Sequence, residues 1–229
     1  MHVVVSPHLD DAVLSAGTWL AAYPGALVVT VFAGMPHDGG KLTDWDRRAG
    51  FASAAEAVAA RRAEDRAALA VLQAEPLWLD HVDDQYAEPH PLEMLVASLR
   101  AVLRRHAPAQ VLAPLGLFHR DHVLTQRACV HAMQAEGVTA LTAYEDAIYR
   151  AIPGCLQQAL LRLARDGVQA TPALDQPGGG HPDRKARALQ AYASQCQAFS
   201  RDQWDDALRP ERHWQLTWPH AAPWSDGHA

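Results

Sequence analysis

The chain is poor in the features that mark scaffolded, membrane-spanning or nucleic-acid-binding proteins. Its three cysteines, Cys129, Cys155 and Cys196, are odd in number, far apart and form no C-x-x-C pair. That argues against a disulfide framework and against a zinc ribbon. No apolar stretch approaches the ~20 residues that cross a bilayer, and no charged leader precedes an apolar segment at the start. No long basic run is present, so the electrostatic footprint of nucleic-acid binding is missing. Arg and Lys gather at 61–66 and 184–187 among acidic neighbours, as on solvated helix faces. No internal repeat is visible. These absences predict a cytoplasmic protein with no nucleic-acid partner and no membrane span; a homo-oligomer stays open.

What is present is an ordinary globular composition: 229 residues, 49% hydrophobic, with a formal charge of −6. The length suits one α/β domain, or one domain with a small appendage. Strand-like runs occur at 2–6, 26–33, 76–81, 110–114 and 138–143. Helix-like runs occur at 11–22, 53–74, 91–106, 121–135, 154–165 and 183–198. Their alternation predicts an α/β fold, a mostly parallel sheet with helices on both faces. Right-handed crossovers then bring the strand-to-helix turns to one edge. A single domain over 1–229 is expected, with a Trp-rich C-terminal extension at 201–229 (Trp204, Trp214, Trp218, Trp224). Trp214 and Trp218 read as packing over the sheet edge rather than as a carbohydrate platform. Two long connections, 34–52 and 167–182, have the length of functional loops.

The chemistry concentrates after the first strand, in Ser6-Pro7-His8-Leu9-Asp10-Asp11. Either aspartate is a good helix cap, but one cap needs one Asp and leaves His8 unexplained. Two carboxylates and an imidazole at the carboxyl end of a buried strand repel one another unless a cation joins them. A second cluster, His119-Arg120-Asp121-His122, follows the fourth strand at the same edge. A two-His, one-carboxylate set drawn from two neighbouring turns suits catalytic zinc and non-haem iron alike.

These clusters resemble the A/S-H-P-D-D and H-x-D-H motifs of the PIG-L/LmbE-like zinc-dependent deacetylases. Other stretches are similar to that family in the same order: Arg61 to Glu64 (R-x-x-E), Tyr144-Glu145-Asp146, and Lys185 to Leu189 followed by Ser194-Gln195. The resemblance spans roughly residues 2–200. It implies a Rossmann-like sheet and hydrolysis of an N-acetyl group on an N-acetylglucosamine-type sugar or its conjugate. It carries His8, Asp11 and His122 over as ligands of Zn2+, with Fe2+ or another divalent metal as the alternative. Asp10 becomes the general base toward a metal-activated water. His119 becomes the group that stabilises the oxyanion or protonates the leaving amine, with Asp121 as its orienting neighbour. Arg61 and Asp83 fall where relatives contact sugar hydroxyls, although Arg61 could equally pair with Asp65 at i,i+4. From the residues themselves, Asp38 in the 34–52 connection is expected on the substrate wall, beside His37 and Asp44. The chain departs from the family at Leu9 (Pro in relatives), at Ala12 (Glu) and at Leu117 (Tyr in some relatives, an extra oxyanion donor). Two rival readings remain: a metal-binding member that has lost catalysis, and a magnesium-dependent phosphoryl-transfer or receiver-like domain. The latter wants a further carboxylate and a Lys at other strand ends.

Overall fold

The computed structural model describes residues 1–39, 41–86, 90–173 and 181–219. Strand β1 (His2–Ser6) carries Val3-Val4-Val5, a β-branched run covered on both sides, as a central parallel strand requires. It pairs in parallel with β2 (Leu27–Thr30) on one side and β4 (Gln110–Pro114) on the other. The flanks β3 (Glu75–Trp78) and β5 (Ala140–Tyr144) are parallel as well. Beyond β5 the sheet continues with β6 (Gln169–Pro172) and β7 (His213–Thr217), giving the order β3-β2-β1-β4-β5-β7-β6. Only β7 runs against the rest. The chain therefore turns away in opposite directions after β1 and after β4, and their carboxyl ends frame the crevice where open α/β sheets bind ligands.

Helices cover both faces. Val4, Val28 and Leu112 pack against α1 (Asp11–Ala22), α3 (Ala54–Leu72) and α7 (Pro182–Leu189). Val3, Val5, Val29 and Val111 pack against α4 (Leu92–His106), α5 (Arg120–Ala135) and α6 (Cys155–Arg165). Among the described residues no helix is long and apolar enough to cross a membrane.

The structure departs from the sequence expectation in four places, one being strand β6 inside the 167–182 connection. The 34–52 connection contains a short helix, α2 (Asp44–Arg48), started by a capping box between Thr43 and Asp46. The helix expected over 183–198 is broken into α7 and α8 (Ala193–Ala198). At the break, the Tyr192 hydroxyl donates to Asp65 and Ser194 to Glu64, which redirects the chain. The Trp-rich tail supplies α9 (Arg201–Ala207) and inserts β7 into the sheet. There Trp218 is buried and Trp214 is partly buried against the core, and the Trp214 indole donates to Glu145. The three glycines at 178–180 and Trp224 lie outside the described residues.

Candidate metal centre

The β1 turn is folded by its own polar groups. Ser6 Oγ donates to the His8 carbonyl (2.7 Å) and accepts the Ala12 N–H (3.0 Å). The His8 N–H donates to Asp11 Oδ2 at 2.8 Å. Asp10 occupies the N-cap position of α1, yet its side chain makes no capping bond, and it lines a cavity at this edge. Capping therefore does not account for the acidic pair.

The β4 turn delivers the second cluster. His119 caps α5, its Nδ1 accepting the Asp121 N–H at 3.2 Å. His122, on the first turn of α5, is 1% exposed. Its Nδ1 donates to Asp146 Oδ1 at 2.6 Å. Asp146 follows β5, is fully buried, and accepts the Gly116 and Leu117 N–H groups on its other oxygen. This carboxylate holds the His122 ring with Nε2 toward Asp11 Oδ2, 3.2 Å away. That Nε2 is buried and has no hydrogen-bond partner among the described residues. His8 is arranged alike. Its Nδ1 stands 3.1 Å from Asp11 Oδ2 and its Nε2 donates to Asp121 Oδ2 at 3.2 Å. Asp121 was expected behind His119; its carboxylate backs His8 instead.

Each imidazole thus has a carboxylate behind it and its other nitrogen aimed at Asp11. Metal-binding histidines are oriented in this way. Ligand atoms of His8, Asp11 and His122 lie within 4.8 Å of one another. Two imidazoles and a carboxylate fit a divalent first-row cation, and the unpartnered His122 Nε2 is what such an ion would satisfy.

The electrostatics agree. Burial alone would lower the pKa of both rings, but the carboxylates outweigh it. Asp83, Asp11 and Asp121 hold His8 well above its ordinary value, and Asp11 with Asp146 raise His122 to about 9. Against the cost of burial, the same contacts hold Asp11 well below the usual carboxylate range. Burial and the Asp11 charge push Asp10 up to about 7. Burial and the two neighbouring histidines lower His119 to about 4. His119 is therefore neutral near pH 7. Since its Nδ1 accepts, the hydrogen-bond network assigns its proton to Nε2.

A cavity of about 400 Å3 opens over this edge. Asp83 lines it, with Oδ2 3.9 Å from His8 Nε2. Arg61 lines it too, but its guanidinium is bound to buried Asp46 at 3.0 Å, and the Tyr86 hydroxyl donates to the same oxygen. Asp65, the i,i+4 candidate, accepts from Trp78 and Tyr192 instead. Asp38 is exposed and lies outside the lining, as do His37 and Asp44; Gly34 and Trp45 are the lining residues of that connection. At Gly34 a Cβ would meet the backbone of Asp80 and His81 at 2.7–2.8 Å, so only glycine permits this approach. Leu117 is buried in the core and leaves the cavity to others.

Sequence reasoning gave no role to two residues that shape the site. Asp146 carried a readable signal, a carboxylate just past a strand at the ligand edge. Tyr149 carried none. Its ring stands edge-on to His122 at 5.0 Å and 6.2 Å from His119. It is presented by a strained turn in which Ile148 has φ 65°. Asp206 holds that turn, accepting from Ile148 N and Arg150 Nε. The late signature residues are joints: Glu64 accepts both the N–H and the hydroxyl of Ser194, and buried Lys185 pairs with Glu211 at 2.9 Å.

Similar solved structures include teicoplanin deacetylase Orf2 in its zinc-inhibited form (TM-score 0.76, 22% identity, covering 96% of this chain and 99% of that one). A40926 pseudoaglycone deacetylase Dbv21 is similar at a TM-score of 0.73 and 26% identity, covering 96% and 98%. GalB, the 4-carboxy-2-hydroxymuconate hydratase of Pseudomonas putida, reaches 0.65 at 21% identity, covering 96% and 97%. Deacetylases and a hydratase thus share the fold, which by itself does not name a reaction. No curated protein sequence matches the chain. Residues 3–133, which carry both ligand clusters, match the model of the PIG-L family, described as GlcNAc-PI de-N-acetylase. That match covers more than half of the chain, and the chain belongs to the PIG-L family.

Proposed function

We propose that this protein is a metal-dependent N-deacetylase acting on an N-acetylamino sugar of the N-acetylglucosamine type, or on its conjugate. One observation carries the reading: ligand atoms of His8, Asp11 and buried His122 converge, with His8, Asp10 and Asp11 lining one cavity, in a chain of this family. The deacetylases among the similar structures support it. His8, Asp11 and His122 would hold the cation, zinc by preference, which supplies a Lewis acid and lowers the pKa of water toward ~7.

The chain's own groups supply the rest. Asp10 accepts a proton from the attacking water; its side chain makes no capping bond and lines the cavity beside the ligands. Neutral His119 donates its Nε2–H to the developing oxyanion. As the C–N bond breaks, the proton held by Asp10 passes to the leaving amine, giving acetate and a free amino sugar. Asp121 and Asp146 keep the His8 and His122 rings in register. Arg61 and Asp83 are assigned to the sugar hydroxyls from their place in the lining; Asp38, outside it, is the least direct of the three assigned contacts. No lysine lines the cavity among the described residues, which disfavours the receiver-like reading. The partner is a small molecule, met in the cytoplasm.

Acetate release from a panel of N-acetyl sugars tests this. The zinc-loaded protein should release acetate, lose the activity on chelation, and regain it when metal is returned. His8→Ala should lose stoichiometric metal. A fully metallated protein that deacetylates no N-acetyl sugar overturns the reading.

A further inference from the structure

The cavity walls carry charge and aromatic surface in a pattern that narrows the substrate. Histidines apart, Arg61 is the only cationic side chain among the described lining residues. One of its NH2 groups is bonded to the buried carboxylate of Asp46, which offsets its charge and also takes the Tyr86 hydroxyl. Asp10, Asp11 and Asp83 line the same space. With Asp11 assigned to the cation, a phosphate or phosphodiester on the sugar beyond it would lose its hydration beside Asp83 and find Arg61 already paired with Asp46. Gln85, Gln195 and Gln203 add uncharged amides to the lining, and Tyr86 and Tyr149 add neutral hydroxyls, suited to the hydroxyls of a sugar.

The aromatic surface is the second observation. Trp45 on α2 and Phe199, just after α8, both line the cavity, with ring centroids 5.7 Å apart and planes inclined at 58°. Among the described residues their ring contacts are to each other and to Trp204, and not to the histidines. Both sit on rigid mounts. The residue after Trp45 is Asp46, fully buried and bonded to Thr43, Arg61 and Tyr86. Phe199 follows the helix that Ser194 ties to Glu64. An aromatic pair fixed in this way binds a flat apolar group with little ordering cost.

We infer that the site selects an uncharged N-acetylamino-sugar glycoside whose flat apolar aglycone rests on Trp45 and Phe199, and disfavours a phosphate-linked sugar. The inference rests on the deacetylase reading but goes further, since it names the group on the far side of the sugar.

Three probes share one sugar: N-acetylglucosamine, its 4-nitrophenyl glycoside and its 1-phosphate. Acetate release gives kcat/KM for each. Calorimetry with the three deacetylated sugars gives affinities for the zinc-loaded protein without turnover. The aryl glycoside should exceed the parent sugar by ~10-fold in both measurements, and the phosphate should fall below the parent. Trp45→Ala and Phe199→Ala should each bring the aryl-to-parent ratio close to one, while Trp45→Phe retains most of it. A phosphate sugar that matches or beats the parent overturns the inference. So does an aryl preference that is absent or that survives both alanine variants, and so does a failure of all three to bind. The two readings fail separately. Aryl-selective binding with no acetate released sinks the deacetylase reading alone; acetate released equally from all three sinks the aglycone subsite alone.

Discussion

Two regions meet in the cavity. At the metal edge, His8, Asp10 and Asp11 come from one turn, and His119, Asp121 and His122 from another. These turns follow β1 and β4, which are hydrogen-bonded neighbours with Val4 beside Leu112. The sheet register therefore sets the spacing of groups whose chemistry tolerates little error. At the wall, Trp45, Arg61, Tyr86, Tyr149 and Phe199 arrive from five separate segments. No sheet holds them. Buried polar joints do: Arg61 with Asp46 and Tyr86, Glu64 with Ser194, Asp65 with Tyr192, and Asp206 with the Ile148 turn. Strands fix the edge, whereas the wall can be remodelled by changing a loop and its joint. A shared edge beneath different walls is how one scaffold serves different substrates.

The largest effect should come from dividing the edge itself. Asp10→Asn keeps size and polarity but cannot accept the proton. Turnover should fall by ~10²–10⁴-fold, with metal content unchanged. A variant within a few-fold of wild type would place the base elsewhere and dissolve the separation between ligands and base.

Next is the support behind the edge. Asp146→Asn removes the carboxylate that receives the His122 Nδ1–H at 2.6 Å. Metal affinity, measured by chelator competition, should weaken by ~10–100-fold, as for other changes behind a ligand. An unchanged affinity would show that the strand ends position His122 unaided.

The wall has a pH signature of its own. Asp65 lies beneath it, accepting from Trp78 Nε1 at 2.8 Å and from the Tyr192 hydroxyl at 3.0 Å. Burial outweighs these bonds and pushes its pKa up to about 6, against about 3.9 in an unfolded chain. The folded state binds this proton more tightly. The group's contribution to stability is therefore fully present below about pH 4 and is lost as pH rises through about 6. The difference amounts to about 3 kcal/mol. Asp65→Asn cannot ionise, so its stability relative to wild type should rise between pH 4 and pH 7 in urea unfolding. A wild-type-minus-variant difference that stays flat across that range would mean that Asp65 does not titrate in the folded wall.

The same contrast explains what could be read in advance. Strands β1 to β5 and most of their helices follow from apolar periodicity, and parallel strands oblige the two clusters to share an edge. Strand β6, Gln169–Pro172, is largely exposed and shows no alternation. Strand β7 did carry a period of two in Trp214, Leu216 and Trp218, but the density of tryptophan made it look like a covering tail. The break before α8 is imposed by Tyr192 reaching Asp65, a bond between residues far apart in the chain. Arg61 shows the limit most sharply. The local i,i+4 rule offered Asp65, while the fold gave Arg61 to Asp46 and Asp65 to Trp78 and Tyr192. Asp146 could be placed at the edge from sequence, but its partner His122 is chosen only in three dimensions.

The smallest effect discriminates between two accounts of the 34–52 connection. Asp44 and Trp45 are adjacent in sequence but differ in setting. Asp44 projects outward with its side chain 84% exposed, bonds Arg47 at 2.6 Å, and does not line the cavity. Exposed pairs of this kind contribute little. Asp44→Ala should leave kcat and KM within about twofold of wild type, whereas Trp45→Ala erases the aryl preference. If Asp44→Ala raises KM several-fold with metal content constant, the connection reads its ligand through a carboxylate at its outer face. The aromatic pair would then be packing, and the wall would begin farther from the metal edge than the Trp45 lining indicates.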